Sequence, residues 1–219
     1  TSEINETPVI PLSTSALAKS FRAGIDGCSA RVSVLRSIDL ALWPGEIVAL
    51  HGARASGRTT LLLCAAGLLA PDSGAIHWCG GRSLSSEHLT YLTAASGSPP
   101  EARGESGRDP GALYARLEHA TRRACRLFLV DDLSAVGALE RRLVLSALAR
   151  CASRGAAVLL AADEGIADSP VVSRVVTLAN GVLVQRRKRS AARMTSSSPA
   201  SRARASARST YGRSLRSPQ

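Results

Sequence analysis

A glycine-rich loop between an apolar strand and a leucine-rich segment is the sequence feature that most constrains the fold. Residues 46–60 read EIVALHGARASGRTT. Gly52, Gly57 and Thr59 follow the spacing of the phosphate-loop pattern G-x-x-x-x-G-K-[ST], but Arg58 stands at the lysine position. Such a loop directs backbone N–H groups and the N-terminus of the following helix at phosphate oxygens. The sequence therefore predicts a phosphate-binding loop within a strand, loop and helix unit.

The loop supplies most of the candidate nucleotide-binding residues, and one distant aspartate completes the set. Arginine keeps the positive charge of lysine but not its geometry, so we expect weakened rather than abolished phosphate binding. The hydroxyl of Thr59 is a candidate Mg²⁺ ligand, and Asp131, which ends the apolar segment of RLFLVDD, could hold the ion from the other side. A glycine-rich turn without a ligand is the alternative, which loop and aspartate together disfavour. The candidate loop residues are Gly52, Ala55, Ser56, Gly57, Arg58, Thr59 and Thr60.

Segments typical of strands and helices alternate along the chain. Asn180-Gly181, between two apolar segments, is typical of a hairpin turn. The alternation predicts an α/β fold with a mainly parallel sheet and helices on its faces. Strand patterns cover residues 32–42, 46–50, 126–132 and 156–162, and helix patterns cover 59–69, 111–125 and 138–154.

The basic charge is concentrated at the end of the sequence. The formal net charge is +11, but residues 186–219 contain ten basic residues and no acidic one, so the rest is near neutral. Only two of the basic residues are lysines, and a coding bias toward arginine explains this without a polyanionic partner. We expect a flexible arm over residues 1–14, a folded domain over 15–185, and a disordered Arg/Ser-rich tail over 186–219.

The tail leaves two readings open. Its charge could bind nucleic acid or anionic lipid without sequence preference. Tyr211 is its single aromatic residue, so base stacking is nearly absent, and a solvated tail without a partner is the alternative.

Cysteines and apolar segments indicate neither a secreted nor a membrane-spanning protein. The five cysteines are odd in number, scattered and without metal-ligand spacing, which is typical of thiols in a reducing compartment. The longest apolar runs are far below the roughly 18 to 20 residues of a membrane span. The start, TSEINETPVIPLS, is polar and acidic rather than basic and then apolar. We therefore expect a cytoplasmic protein.

Residues 15–185 resemble the nucleotide-binding domain of an ABC transporter. The resemblance rests on VLRSIDLALWPGEIVALHGARASGRTTLLLCAAGLLAPDSGAIHWCGG, on RLFLVDD and on SRVVTLANGVLV. It implies a P-loop NTPase sheet with an N-terminal antiparallel β part and, here, a shortened helical subdomain. Asp131 would be the Walker B aspartate, and Phe21 would stack on adenine, with a core phenylalanine as the alternative.

The same resemblance implies ligands and partners. ATP and Mg²⁺ would be the ligands. A membrane permease subunit and a second ATP-binding subunit, in a homo- or heterodimer, would be the partners. The protein would lie peripherally at the inner face of the cell membrane.

Several catalytic positions depart from the family pattern. Asp132 takes the place of the catalytic glutamate and is one methylene shorter, and small misplacements of such a group cost orders of magnitude in rate. Asp163 takes the place of the switch histidine, where a carboxylate would repel a phosphate. Ala94 and Ala138 occupy the Q-loop glutamine and D-loop aspartate positions, and the signature LSGGQ has no match. We therefore expect a degenerate ATP-binding subunit with weak or no ATPase activity, working beside a permease or an active partner.

Other functions compete with this interpretation. One is a regulatory or structural P-loop protein that does not transport, and another is a nucleic-acid-associated protein that uses its tail. A hydrolase triad of His51, Ser56 and the Asp131-Asp132 pair is disfavoured, because the chain order is wrong and a nucleophile elbow is missing.

Overall fold

A six-stranded sheet and a smaller three-stranded sheet organise the described part of the chain. The computed structural model describes residues 9–25, 28–79, 88–93, 112–122, 125–133 and 136–186. All of these residues belong to one compact unit. The strands are β1 (Leu12–Ile25), β2 (Cys28–Leu42), β3 (Ile47–His51), β4 (Ser73–Trp78), β5 (Leu89–Thr93), β6 (Leu127–Asp131), β7 (Ala157–Ala161), β8 (Arg174–Ala179) and β9 (Val182–Arg186). The helices are α1 (Arg58–Ala65), α2 (Ala112–Thr121), α3 (Ala138–Ser153) and α4 (Glu164–Ala167).

The larger sheet is mainly parallel, as the alternation of strands and helices predicts. Its order is β5-β6-β7-β3-β8-β9, and every neighbouring pair except β8 and β9 runs parallel. The β8–β9 hairpin confirms the turn predicted at Asn180-Gly181, where φ is 50° and 75°, as a type I′ turn requires. These features confirm the α/β class with a P-loop sheet.

The smaller sheet is the N-terminal antiparallel part that the family resemblance implies. Its order is β2-β1-β4, and both pairs are antiparallel. Strand β1 is not predicted from the sequence, and it begins at Leu12, inside the segment expected to be a flexible arm. Register shifts between Thr14 and Ser20 interrupt the alternation of buried and exposed residues, so β1 lacks a clear strand pattern.

The central strands bury side chains on both faces of the larger sheet. In β6, Leu127 and Leu129 pack towards α1 and the small sheet, whereas Phe128 and Val130 pack towards α2 and α3. The same alternation holds in β3 and β7. Strands covered on both sides appear in the sequence as continuous apolar runs.

The three predicted helices are present and end earlier than their sequence patterns. Helix α1 ends at Ala65, and Gly67 then turns the chain with a φ of 72°. The short helix α4 was not predicted. None of the helices in these described segments is long and apolar enough to cross a membrane.

Two contacts fasten the small sheet to the rest of the domain. The indole N–H of Trp78 in β4 donates to the carbonyl oxygen of Ala65 at 2.7 Å, at the end of α1. In β2, the backbone N–H of Arg36 donates to the carbonyl oxygen of Gly181 at 2.6 Å. A side chain at Gly181 would place its Cβ 2.8 Å from the carbonyl oxygen of Val34. The β8–β9 turn therefore packs directly against β2.

The thiols in the described residues are unpaired. Cys64, Cys79, Cys125 and Cys151 form no disulfide. Cys64 is fully buried, and burial raises the pKa of its thiol to about 11, so it remains protonated at neutral pH. A buried, protonated thiol of this kind is unreactive.

Asp72 lies between α1 and β4, and its side chain forms hydrogen bonds and ion pairs with both strands of the β1–β2 hairpin. Its carboxylate oxygens lie 2.9 Å from Nη2 of Arg31 and 3.1 Å from Nζ of Lys19, and one accepts the backbone N–H of Ser20 at 2.9 Å. The hydrogen bonds from Arg31 and Lys19 lower the pKa of Asp72 to about 2. The ionised carboxylate is thus the favoured form in the folded state.

We expect Asp72→Asn to lower the melting temperature at pH 7 by a few degrees. Because the folded-state pKa is depressed, the contribution of Asp72 is present above its ordinary pKa near 3.8 and is lost as the pH falls towards about 2. The variant should therefore lose less stability than the wild type over that range. Thermal melts at several pH values test this, with the exposed carboxyl of Asp168, changed to Asn, as the matched control. Parallel pH profiles would contradict it.

Candidate functional site

The glycine-rich loop after β3 is shaped by two positions that exclude a side chain. Gly57 has a φ of 100°, and a Cβ there would lie 2.7 Å from Cγ1 of Val34. A Cβ at Gly52 would lie 2.5 Å from the carbonyl oxygen of Leu178. Ala55, between them, is also left-handed, with a φ of 61°. The loop is therefore packed tightly against its surroundings and opens at the N-terminus of α1.

A cavity of about 570 Å³ lies beside this loop, at the carboxyl ends of β6 and β7. Its size is within the range of small-molecule sites. The structure brings most of the predicted site residues together around it. They are the loop residues Ala55, Ser56, Gly57, Arg58, Thr59 and Thr60, together with Asp131, Asp132 and Asp163.

Asp131 is a buried carboxylate held from two directions. Its side chain accepts a hydrogen bond from Oγ1 of Thr59 at 3.3 Å on one oxygen and from the hydroxyl of Tyr91 at 3.1 Å on the other. Burial raises the pKa of Asp131, although these two donors oppose the effect. Burial and the adjacent carboxylate also raise the pKa of Tyr91, so its phenol remains protonated.

Arg58 reaches across the cavity from the first turn of α1. Its Nη1 donates to the carbonyl oxygen of Ala162 at 3.1 Å, just after β7. The guanidinium therefore lies beside the backbone that precedes Asp163. A phosphate bound at the loop would meet this charge directly.

Asp163 forms the opposite wall and has a structural partner of its own. Its carboxylate caps α4 by accepting the backbone N–H of Ile166 at 2.9 Å. Nη1 of Arg141, from α3, lies 3.7 Å from the other oxygen, and Nη2 of Arg141 donates to the carbonyl oxygen of Val136 at 3.3 Å. Neither Arg141 nor Tyr91 is apparent from the sequence, because both act through contacts between distant elements.

The residues present fit a phosphate group with a divalent cation. Oγ of Ser56 is buried and has no hydrogen-bond partner within the described residues. A buried hydroxyl without a partner is costly, and an anion in the loop would satisfy it. Thr59 and Asp131 supply the oxygen ligands that Mg²⁺ prefers.

Comparison with known proteins agrees with this geometry. The ABC transporter family profile matches residues 35–125, which include the loop and α1. This part of the chain is similar to the ABC transporter family. Over 73 residues the chain is 42% identical to the cytochrome c biogenesis ATP-binding export protein CcmA of Cupriavidus necator. Over 194 residues, 78% of this chain, it is 29% identical to the pyoverdine export ATP-binding/permease protein PvdT of Pseudomonas syringae pv. tomato.

These alignments span about a third or less of each relative, 32% of CcmA and 28% of PvdT. Solved structures match over more of their length. An ATP-binding subunit of an ABC transporter gives a TM-score of 0.60 at 18% identity, covering 80% of this chain and 89% of that one. The ADP conformation of an ATP-binding cassette gives 0.62 at 12% identity, covering 83% and 92%. At these identities the likeness shows the fold alone.

Two of the predicted positions, Phe21 and Ala138, are not among the residues that line the cavity. Phe21, in β1, is 41% exposed, and the ammonium of Lys19 lies 5.7 Å from its ring centroid. Its role in adenine stacking stays a prediction. Ala138 is the first residue of α3. Ala94 and the tail beyond Arg186 lie outside the described residues.

We expect Asp131→Asn to raise the free energy of unfolding at pH 7 by about 1 kcal/mol. This is a typical gain when a substitution removes a functional group that destabilises the fold. Because burial raises the folded-state pKa, the contribution of Asp131 to stability is present below its ordinary pKa and is lost as the pH rises through the raised value. Asparagine removes the buried charge. Urea unfolding at pH 7 measures the change, with Asp168→Asn as the control. A loss of stability would show that the hydrogen bonds from Thr59 and Tyr91 outweigh the burial cost.

Proposed function

We propose that this chain is an ATP-binding subunit of an ABC-type transport system with weak or absent hydrolysis. The observation that supports ATP binding is the convergence of the glycine loop, Thr59 and Asp131 on one cavity. The loop amides and Arg58 would hold the phosphates. The buried hydroxyl of Ser56, which has no hydrogen-bond partner among the described residues, supports this because it could donate to a phosphate oxygen.

Thr59 and Asp131 would hold the Mg²⁺ that accompanies ATP. When bound, the ion would supply positive charge that offsets the negative charge of the phosphates. The chain's own part is to orient the phosphates at the helix N-terminus and to offer a cationic side chain. Arg58 offers a planar fork rather than the compact charge of lysine.

Two acidic side chains support the proposal of impaired hydrolysis. Asp132 follows β6 with a left-handed φ of 49° and lines the cavity with a carboxylate one methylene shorter than glutamate. Asp163 presents a second carboxylate, fixed in place by the N-terminus of α4. A carboxylate near the terminal phosphate repels it instead of donating a hydrogen bond.

The similarity to export proteins supports a membrane permease as the partner. PvdT is an ATP-binding/permease protein, and CcmA is an ATP-binding export protein. One solved neighbour is a dimeric ATP-binding cassette with ADP and phosphate bound. We therefore propose a cytoplasmic subunit at the inner face of the membrane, paired with another ATP-binding subunit and with domain boundaries near residues 15 and 185.

Arg58→Gln should weaken ATP binding by about 10- to 100-fold, because a charge-assisted hydrogen bond to phosphate is lost. Equilibrium titration with fluorescent ATP, with and without Mg²⁺, measures the change. Arg150→Gln is the matched control, since Arg150 does not line the cavity. Its Nη2 lies 2.7 Å from Oε1 of Glu118. Gly57 is unsuitable for this test because any side chain there strains the loop. Unchanged affinity in Arg58→Gln, or no binding by the wild type, would refute the proposed site.

Hydrolysis by the isolated chain should be indistinguishable from the buffer blank. A phosphate-release assay with saturating Mg–ATP tests this expectation. Asp131→Ala serves to separate intrinsic activity from a contaminating ATPase. Turnover that disappears in Asp131→Ala would show that the chain is an active enzyme and would contradict the degenerate reading.

A further inference from the structure

The two hydrogen bonds to Asp131 come from different layers of the domain. Thr59 belongs to α1, which lies on one face of the larger sheet, and Tyr91 belongs to β5, the strand next to β6. Tyr91 does not line the cavity. Its hydroxyl therefore acts on the site only through the carboxylate of Asp131.

We propose that Tyr91 is a positioning residue that orients the Asp131 carboxylate towards the divalent cation that accompanies the nucleotide. This inference rests on the proposed function, because it requires a cation between Thr59 and Asp131. The hydroxyl of Tyr91 donates a hydrogen bond to Oδ2 of Asp131, so that Oδ1 remains beside Oγ1 of Thr59.

The orientation of a carboxylate is not fixed by its own torsion. The terminal torsion of aspartate is broad, so external donors decide which oxygen faces the cavity. Asp131 is only 4% exposed, so water supplies little of this restraint. Without the phenol, Oδ2 loses its donor and both oxygens compete for Thr59. Outer donors of this kind typically change metal affinity by about 10- to 100-fold.

Tyr91→Phe isolates the hydroxyl, because the ring remains to pack against the core. The Mg²⁺ concentration that gives half of the enhancement of ATP binding should rise about 10-fold. ATP affinity in excess chelator should be unchanged, since the hydroxyl donates to Asp131 and Tyr91 does not line the cavity. A titration of Mg²⁺ at fixed fluorescent ATP provides this readout without any measurement of turnover.

Tyr114→Phe is a matched control. Its hydroxyl also donates to a carboxylate, Oε1 of Glu118, at 2.8 Å, but the pair lies on α2, away from the cavity. We expect no change in its Mg²⁺ requirement. In an Asp131→Asn background, Tyr91→Phe should add no further change in the Mg²⁺ requirement, as expected for residues that act through one another.

The outcomes separate the positioning role from the proposed function. If the wild type binds Mg–ATP and Tyr91→Phe needs the same Mg²⁺ concentration, the role of Tyr91 is overturned and the function stands. Equal weakening with and without Mg²⁺, or a large fall in melting temperature with the Mg²⁺ requirement unchanged, shows that the phenol is merely structural. If the wild type binds no ATP, or binds it without regard to Mg²⁺, both the proposed cation site and the role of Tyr91 are overturned.

Discussion

The close contact between Gly57 and Val34 is the constraint on which the candidate site depends. Only glycine can adopt the left-handed turn while a valine methyl lies 2.7 Å from the place of a Cβ. This contact presses the loop against β2 and sets where α1 begins. The start of α1 then places Arg58 and Thr59 opposite Asp131. The small sheet, which contributes Val34 alone to the cavity wall, thus determines the shape of the cradle.

The sequence predicted the parts of the site that are local, and it missed the parts that depend on tertiary neighbours. The loop, Asp131 at the end of β6 and the Asn180-Gly181 turn each have a local pattern, and the structure confirms their elements. Strand β1 was missed because its bulges disturb the alternation on which strand prediction relies. Tyr91 was missed because the order of strands in a sheet cannot be read from a single sequence, and its contact with Asp131 exists only when β5 lies beside β6.

The cavity is lined by side chains of both charges, so that some of them favour a bound phosphate and others disfavour it. Two arginines and three aspartates line the same cavity: Arg54, Arg58, Asp131, Asp132 and Asp163. A buried carboxylate such as Asp131 costs stability and is expected where function requires a charge. Asp163 differs, because its cap to α4 gives it a structural use that does not require a ligand. Asp131 therefore serves the proposed cation site. Asp163 stabilises α4 but brings a negative charge to the cavity, which is unfavourable for phosphate.

Val34 contacts two glycines that come from opposite ends of the domain. Gly57 lies in the phosphate loop, and Gly181 lies in the turn between β8 and β9, near the end of the described residues. Contacts between such distant positions form late, because the intervening chain must first be closed. During synthesis, the loop sequence leaves the ribosome long before the hairpin that supports β2 exists. A shortened translation product that stops before residue 181 would thus contain every phosphate-loop residue and still lack the packed scaffold that shapes them.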